Sequence, residues 1–242
     1  MQIAAGIHRL GDGTVNAYLL EEGGSVTVID AGMPGYWKAL PGELSAMGRS
    51  LADVSALVLT HGHTDHIGFA ERLRRERRVP VSVHELDEAL ALGRARNRAG
   101  AGRIRLMPLL RFILLGLRQG GLRPVFLTEV STFGDGATLD VPGSPRVVLV
   151  PGHSPGCAAL HVPSRDTLFI GDAIATYAVT TGQRGPQVAP FSQDPAEAVR
   201  SLDRLAGIEA GLVLPGHGEP WTGGVAEAVR RVKARSPAAT PN

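Results

Sequence analysis

The run Thr60-His61-Gly62-His63-Thr64-Asp65-His66 constrains this chain more than any other stretch. It places three histidines and one aspartate within six residues. The apolar run Val54-Ser55-Ala56-Leu57-Val58-Leu59 precedes it and reads as a strand about to end. Ile67, Phe69, Ala70 and Leu73 follow at roughly helical spacing, so the cluster sits on a turn from strand to helix. Imidazole nitrogen and carboxylate oxygen are ligands that suit zinc and its borderline neighbours. On an irregular turn, His61 and His63 can converge on one ion while Asp65 and His66 point at a second. Alternation along a surface strand would explain one His-x-His pair, but not the added Asp-His.

Three later strand ends carry the same kind of residue. Val147–Val150 runs into Pro151-Gly152-His153, Thr167–Ile170 into Gly171-Asp172, and Leu212–Leu214 into Pro215-Gly216-His217. Each stands in a glycine-bearing turn after an apolar strand, where a loop-built site belongs. Asp30 closes the strand Ser25–Ile29. It is either a turn former or a hydrogen-bond acceptor for a metal-bound histidine. His84 ends the strand Val79–Val83 and has the same two readings. Helices are predicted over Tyr36–Met47, roughly 67–77, Leu86–Arg96 and Val225–Ala234. Another opens at Asp194-Pro195, with Asp194 as its cap. The segment 236–242 reads as a flexible tail.

Residues 103–118 stand apart from this pattern. Leu106, Leu110, Ile113, Leu114 and Leu117 share one helical face, and Arg111 and Arg118 share another. Three uses stay open: packing on the core, a lid over the site, or an interface with a second copy or a membrane surface. As a lid, the helix would bring Leu110 and Leu114 to the substrate. Tyr177, Thr180, Thr181 and Arg184, in the loop after Asp172, are further candidate substrate contacts.

Charge and composition exclude some classes. The net charge of +2 gives no nucleic-acid footprint. The arginines at 72–78 are broken by acids and read as a solvated helix face. The longest apolar stretch, Leu109–Leu117, is interrupted by Arg111 and cannot span a bilayer. A single cysteine, Cys157, allows no internal disulfide, and no signal-peptide pattern opens the chain. A cytoplasmic location is the expectation. No linker is visible, so the chain reads as one domain over 1–235, with a helical insertion at about 86–127.

The ordered set resembles the metallo-β-lactamase-fold hydrolases. The resemblance runs from Asn16-Ala17-Tyr18-Leu19-Leu20 and Val28-Ile29-Asp30-Ala31-Gly32 through Pro215-Gly216-His217. It implies an α/β protein, a four-layer αβ/βα sandwich with two metals at one edge. His61, His63 and His153 would hold the first metal. Asp65, His66 and His217 would hold the second, with Asp172 as the bridge. The metals implied are two zinc ions per chain, with manganese or iron as alternatives. The chemistry implied is attack by a metal-bound hydroxide held by Asp172, with Asp65 orienting the nucleophile or taking its proton.

Departures from related branches narrow the expectation. His63 stands where flavodiiron-type relatives carry Glu. Asp172 stands where true β-lactamases tend to carry Cys or Ser. The set is similar to glyoxalase II-type thioesterases and lactonases, although glyoxalase II's C-terminal helical domain is not expected here. Tyr177 is only a shifted counterpart of the lactonases' tyrosine. The expected substrate is a small acyl compound cleaved at a lactone, ester or thioester carbonyl. The competing readings are a phosphodiesterase or nuclease on the same two metals, and a mononuclear-iron relative like the persulfide dioxygenases. The expected partner is the small acyl substrate and not nucleic acid, with a homodimer through the 103–118 helix as one use of that face.

Overall fold

The computed structural model describes residues 1–100 and 102–236, so all of the expected tail except Ser236 lies outside the described residues. Its first sheet holds β1 (Gln2–Ala4), β2 (Ile7–Gly11), β3 (Asn16–Glu22), β4 (Ser25–Ile29), β5 (Val54–Val58), β6 (Val81–His84) and β7 (Ser131–Phe133), side by side in chain order. The joins from β1 to β4 are antiparallel and those from β4 to β7 parallel. Parallel neighbours need crossovers. These contain α1 (Leu40–Ala46), then α2 (Ala70–Arg77), then a long segment with α3 (Glu88–Ala91) and α4 (Leu106–Arg118).

In the second sheet, β8 (Arg146–Leu149), β9 (Ala158–Val162) and β10 (Thr167–Gly171) are antiparallel neighbours. A hairpin of β11 (Ala175–Tyr177) and β12 (Arg184–Gln187) follows, then α5 (Pro195–Ser201). The strand β13 (Leu212–Pro215) then joins β10 in parallel, and α6 (Val225–Arg235) closes the described chain.

The alternation of side chains along the strands explains the layers. Tyr18, Leu20, Ile29 and Val58 of the first sheet meet Leu160, Phe169 and Leu214 of the second in one buried cluster. The intervening residues Ala17, Leu19, Val28 and Leu57 face the other way, onto Leu40 and Leu44 of α1 and Leu73 of α2. Likewise Leu168, Ile170 and Val213 meet Val225, Ala228 and Val232 of α6. Both faces of each sheet are covered, which is why these strands read as near-continuous apolar runs. The layers are helix, sheet, sheet, helix, as expected of an αβ/βα sandwich.

Two predicted helices are shorter than their patterns. The 36–47 segment splits into a 3₁₀ turn at Pro34–Lys38 and α1. The 86–96 helix reduces to a 3₁₀ turn at Glu85–Asp87 and α3, where Gly93 takes φ 67° and turns the chain away. Asp194 caps α5 as expected, its Oδ1 accepting from Glu197 N at 2.8 Å.

Candidate metal centre

The four turns that carry the candidate ligands meet at one edge of the sandwich. Ligand atoms of His61, His63 and His153 lie within 4.8 Å of one another, and so do those of Asp65, His66 and His217. Asp172 lies between the two groups. Its Oδ2 is 3.3 Å from His153 Nε2 and 3.1 Å from His217 Nε2, and its Oδ1 is 3.6 Å from His66 Nε2. Asp65 Oδ2 is 3.5 Å from His217 Nε2. All seven residues named from the sequence are therefore brought together.

The surroundings fix which nitrogen faces inward. Thr60 Oγ1 donates to Asp30 and so accepts from His61 Nδ1 at 3.1 Å. His66 Nδ1 donates to Asp30 Oδ2 at 2.9 Å. Ser192 Oγ donates to the Ala189 carbonyl and accepts from His153 Nδ1 at 3.1 Å. His217 Nδ1 donates to the Thr14 carbonyl at 2.5 Å. In all four rings Nδ1 is turned outward onto an acceptor, so Nε2 is the atom aimed at the centre and the one a metal would take. His61 Nε2, His63 Nε2, His66 Nε2 and Asp172 Oδ1 are buried without a hydrogen-bond partner among the described residues. Buried polar atoms are normally paired. His63 turns its Nδ1 inward, 2.8 Å from His153 Nε2, so the other three are the orphans that converge, and atoms of this donor type fit cations.

Electrostatics divide the two groups. Burial, with the neighbouring imidazoles, pushes His61 well below the usual histidine range and His153 down to about 3. Burial also lowers His63. It acts on His66 and His217 too, but carboxylates outweigh it there. Asp30, Asp172 and Asp65 carry His66 up to about 10, and Asp172 and Asp65 raise His217. Burial would raise Asp65 and Asp172, but the imidazoles prevail and hold both below the usual carboxylate range.

Asp30 does accept from a centre histidine, with Thr60 N and Oγ1 as its other donors, each at 2.8 Å. His84 does not. Its Nδ1 accepts from Leu86 N at 3.3 Å, its ring packs edge-on against Phe133, and it makes no hydrogen bond to any of the seven. The support sought at His84 comes from Asp87, which the sequence reading passed over. Asp87 is fully buried and accepts from Gly62 N at 2.8 Å, Ser154 Oγ at 2.6 Å and Gly156 N at 2.7 Å. It ties the His61–His63 turn to the His153 turn. Asn16, also missed, donates to the carbonyls of Pro215 and Gly218 on either side of His217. An acid three residues past a strand end, and an amide opening a strand, were the available signals.

A cavity of about 540 Å³ opens on the centre. His63, Asp65, His153, Asp172 and His217 line its floor. Met33, Leu90, Phe112, Ile113, Phe126, Val179 and Phe191 line its walls, with Arg96 and Asn97 as polar members. The substrate contacts named from the sequence are not among its lining. Tyr177 and Arg184 pair across the β11–β12 hairpin, the guanidinium 5.6 Å from the ring centroid. The Thr180 carbonyl accepts from Arg105 N at 2.8 Å, and its neighbour Val179 takes the place on the wall. Leu110 and Leu114 face solvent. Phe112 and Leu115 pack on the core beneath α4, which turns Phe112, Ile113 and Gly116 toward the cavity instead.

Comparison with known proteins places this geometry. The family model described as the metallo-beta-lactamase superfamily matches residues 10–217. The Bacillus subtilis (strain 168) protein named "Probable metallo-hydrolase YflN" is 29% identical over 240 residues, covering 92% of this chain and 87% of that one. The metallo-beta-lactamase family protein TTHA1429 from Thermus thermophilus superposes with a TM-score of 0.71 at 25% identity, over 96% of this chain and 80% of its own. TTHA1623, solved in a di-iron-bound form, gives 0.62 at 29% identity over 96% and 98%.

Proposed function

We propose that this chain, which belongs to the metallo-β-lactamase superfamily and is a metal-dependent hydrolase, cleaves an ester-like carbonyl bond in a small acyl compound: a lactone, ester or thioester. The observation that carries the reading is the pairing of a complete donor set with a mostly apolar cavity directly above it. That is the usual form of a small-molecule site. The set comprises His61, His63 and His153 for one ion, Asp65, His66 and His217 for the other, and Asp172 between them. Two bound dications would supply a water of lowered pKa and a Lewis acid for the carbonyl. We take zinc as the metal. The di-iron form of TTHA1623 supports iron as the first alternative, with manganese behind it.

The protein's own groups have separable tasks. Asp65 faces both the second ligand group and the cavity, and the imidazoles beside it keep it ionised. It can orient a nucleophilic water and take its proton. Phe112, Ile113, Phe126 and Phe191 would hold the acyl part and exclude water from it. Arg96 is the polar member placed to meet a carboxylate or polar head group, in place of Arg184, the arginine among the candidate substrate contacts. Asn97 pins that segment down, donating to the Phe191 carbonyl at 3.1 Å.

A panel of lactones, aryl esters, acyl thioesters, β-lactams and phosphodiesters on the zinc-loaded protein tests the reading. Turnover of at least one of the first three, with Arg96→Ala raising KM more than it lowers kcat, is expected. Turnover confined to β-lactams or phosphodiesters overturns it.

A further inference from the structure

The outer face of α4 points to a second task, one that does not depend on which bond the centre cleaves. A helix on a protein surface normally turns its apolar stripe inward and its polar side to water. On α4 both sides are apolar. Phe112 and Leu115 pack inward, while Leu106 is 68% exposed, Met107 70%, Leu114 48% and Leu117 54%. Ile104, Leu122 and Val125, just outside the helix, are also exposed. With 13 residues the helix is too short to cross a bilayer, and no helix among the described residues is long and apolar enough to do so.

The charge around this face is as lopsided as its hydrophobicity. Eight of the chain's 25 basic residues, and none of its 23 acidic ones, fall between residues 89 and 128. All eight are arginines, and all are exposed. They include Arg103 and Arg105 before α4 and Arg111 and Arg118 on it. Among the described residues none of the eight pairs with a carboxylate, whereas Arg74, Arg200 and Arg230 elsewhere do. The rest of the chain is net negative. The near-neutral total therefore conceals a cationic, apolar cap on a negatively charged body.

Arg111 and Arg118 border the exposed leucine stripe on one side, as the 100° step of the helix requires. A second copy would bring an identical cationic face and repel it. Nucleic acid would answer the arginines but leave the leucines in contact with phosphate and water. A bilayer with anionic headgroups answers both, because leucines enter the acyl boundary while arginines remain among the headgroups.

We propose that the 103–125 segment is a membrane-surface anchor that seats this protein on anionic lipid, with α4 lying in the interface plane. Its inner side lines the cavity through Phe112 and Ile113. Seated in this way, the mouth of the site would lie beside the lipid, where apolar acyl compounds concentrate.

Flotation of the purified full chain with phosphatidylcholine vesicles, with and without phosphatidylglycerol, tests this without any turnover assay. Binding is expected only with the anionic lipid, and it should weaken as salt is raised. Leu110→Ser/Leu114→Ser should weaken it by about tenfold or more per leucine, the burial of one such side chain. Arg111→Glu/Arg118→Glu should weaken it by about fivefold or more per arginine. All four residues are exposed, and circular dichroism and retained turnover on a soluble substrate would verify that the variants fold. Failure to float with anionic vesicles, equal binding to neutral ones, or a solution dimer dissolved by the leucine variant would each overturn the proposal. The last would give the face to a second copy. Turnover on the substrate panel is a separate readout, so neither result decides the other.

Discussion

Asp87 offers the sharpest test of how the centre is built, because it is no ligand and touches two ligand-bearing turns. Three donors converge on its buried carboxylate: Gly62 N, Ser154 Oγ and Gly156 N. A hydrogen bond to an ionised acceptor is worth about 1.5–3 kcal/mol, and an orphaned buried donor costs about 1–3 kcal/mol. Asp87→Ala forfeits all three bonds but also removes a carboxylate whose burial costs several kcal/mol. A net loss of about 3 kcal/mol is therefore expected, well inside the total stability typical of a folded chain. The loss falls on the turns of His61, His63 and His153. Expressed at the site, it corresponds to roughly a hundredfold weaker hold on the first ion, the upper end for residues that orient ligands. Asp87→Asn should fall between the two. Its carbonyl oxygen can keep Gly62 N and Ser154 Oγ, which share Oδ2, while its amide would face Gly156 N–H donor to donor. Chelator-competition titration of metal, beside thermal unfolding, measures both effects. Wild-type metal affinity in Asp87→Ala, with or without a lowered melting temperature, would refute a positioning role.

Two further substitutions separate structural from site effects. Asp172→Ala should abolish turnover by orders of magnitude, whereas His84→Ala, at a ring that touches no ligand, should leave it within about tenfold; comparable losses in folded proteins would mean the bridge is misassigned. A Cβ at Gly216 would lie 2.2 Å from Asp172 Oδ1 and 2.5 Å from His66 Cε1, so Gly216→Ala should cost about 1–3 kcal/mol of stability and lower turnover sharply, which unfolding and activity assays would show.

The fold and the ligand set were largely legible in the sequence for one physical reason. Each candidate ligand follows an apolar strand and shares its turn with glycine, so local pattern and chemistry coincide at His61–His66, His153, Asp172 and His217. Asp87 and Asn16 escaped because their partners are backbone groups distant in sequence: Gly156 is 69 residues from Asp87, and Pro215 is 199 from Asn16. No local pattern signals such pairs. The same holds for the cavity wall. Periodicity put Leu110 and Leu114 on one face of α4 but could not say which face meets the body, because the other face carries Phe112 and Leu115. Its place directly after Asp172 puts the segment with Tyr177 and Arg184 near the site. Which of its residues face the cavity is set by the β11–β12 pairing, which turns Tyr177 and Arg184 toward each other.

The division of charge within the centre leads to a further prediction, that the two ions respond differently to pH. Burial holds His153 down to about 3 and keeps His61 and His63 below the usual range, so this trio offers neutral nitrogen throughout the neutral region. His66 is carried up to about 10 by Asp30, Asp172 and Asp65 against the effect of burial, and His217 is raised by Asp172 and Asp65. In the metal-free protein a raised group is stabilising below its unfolded value near 6.5. That contribution is lost as pH rises through its folded value. Metal competes for the same nitrogen, so its binding to the second group must release the proton from His66, and its affinity rises with pH across this window. The expected slope is about tenfold per pH unit for each proton displaced, against almost none for the first group. Dialysis at pH 6, 7 and 8 with ion counting by mass spectrometry should show two ions per chain at pH 8 and loss of one first on acidification. Equal slopes for both ions, or a single ion at every pH, would refute this division of the site.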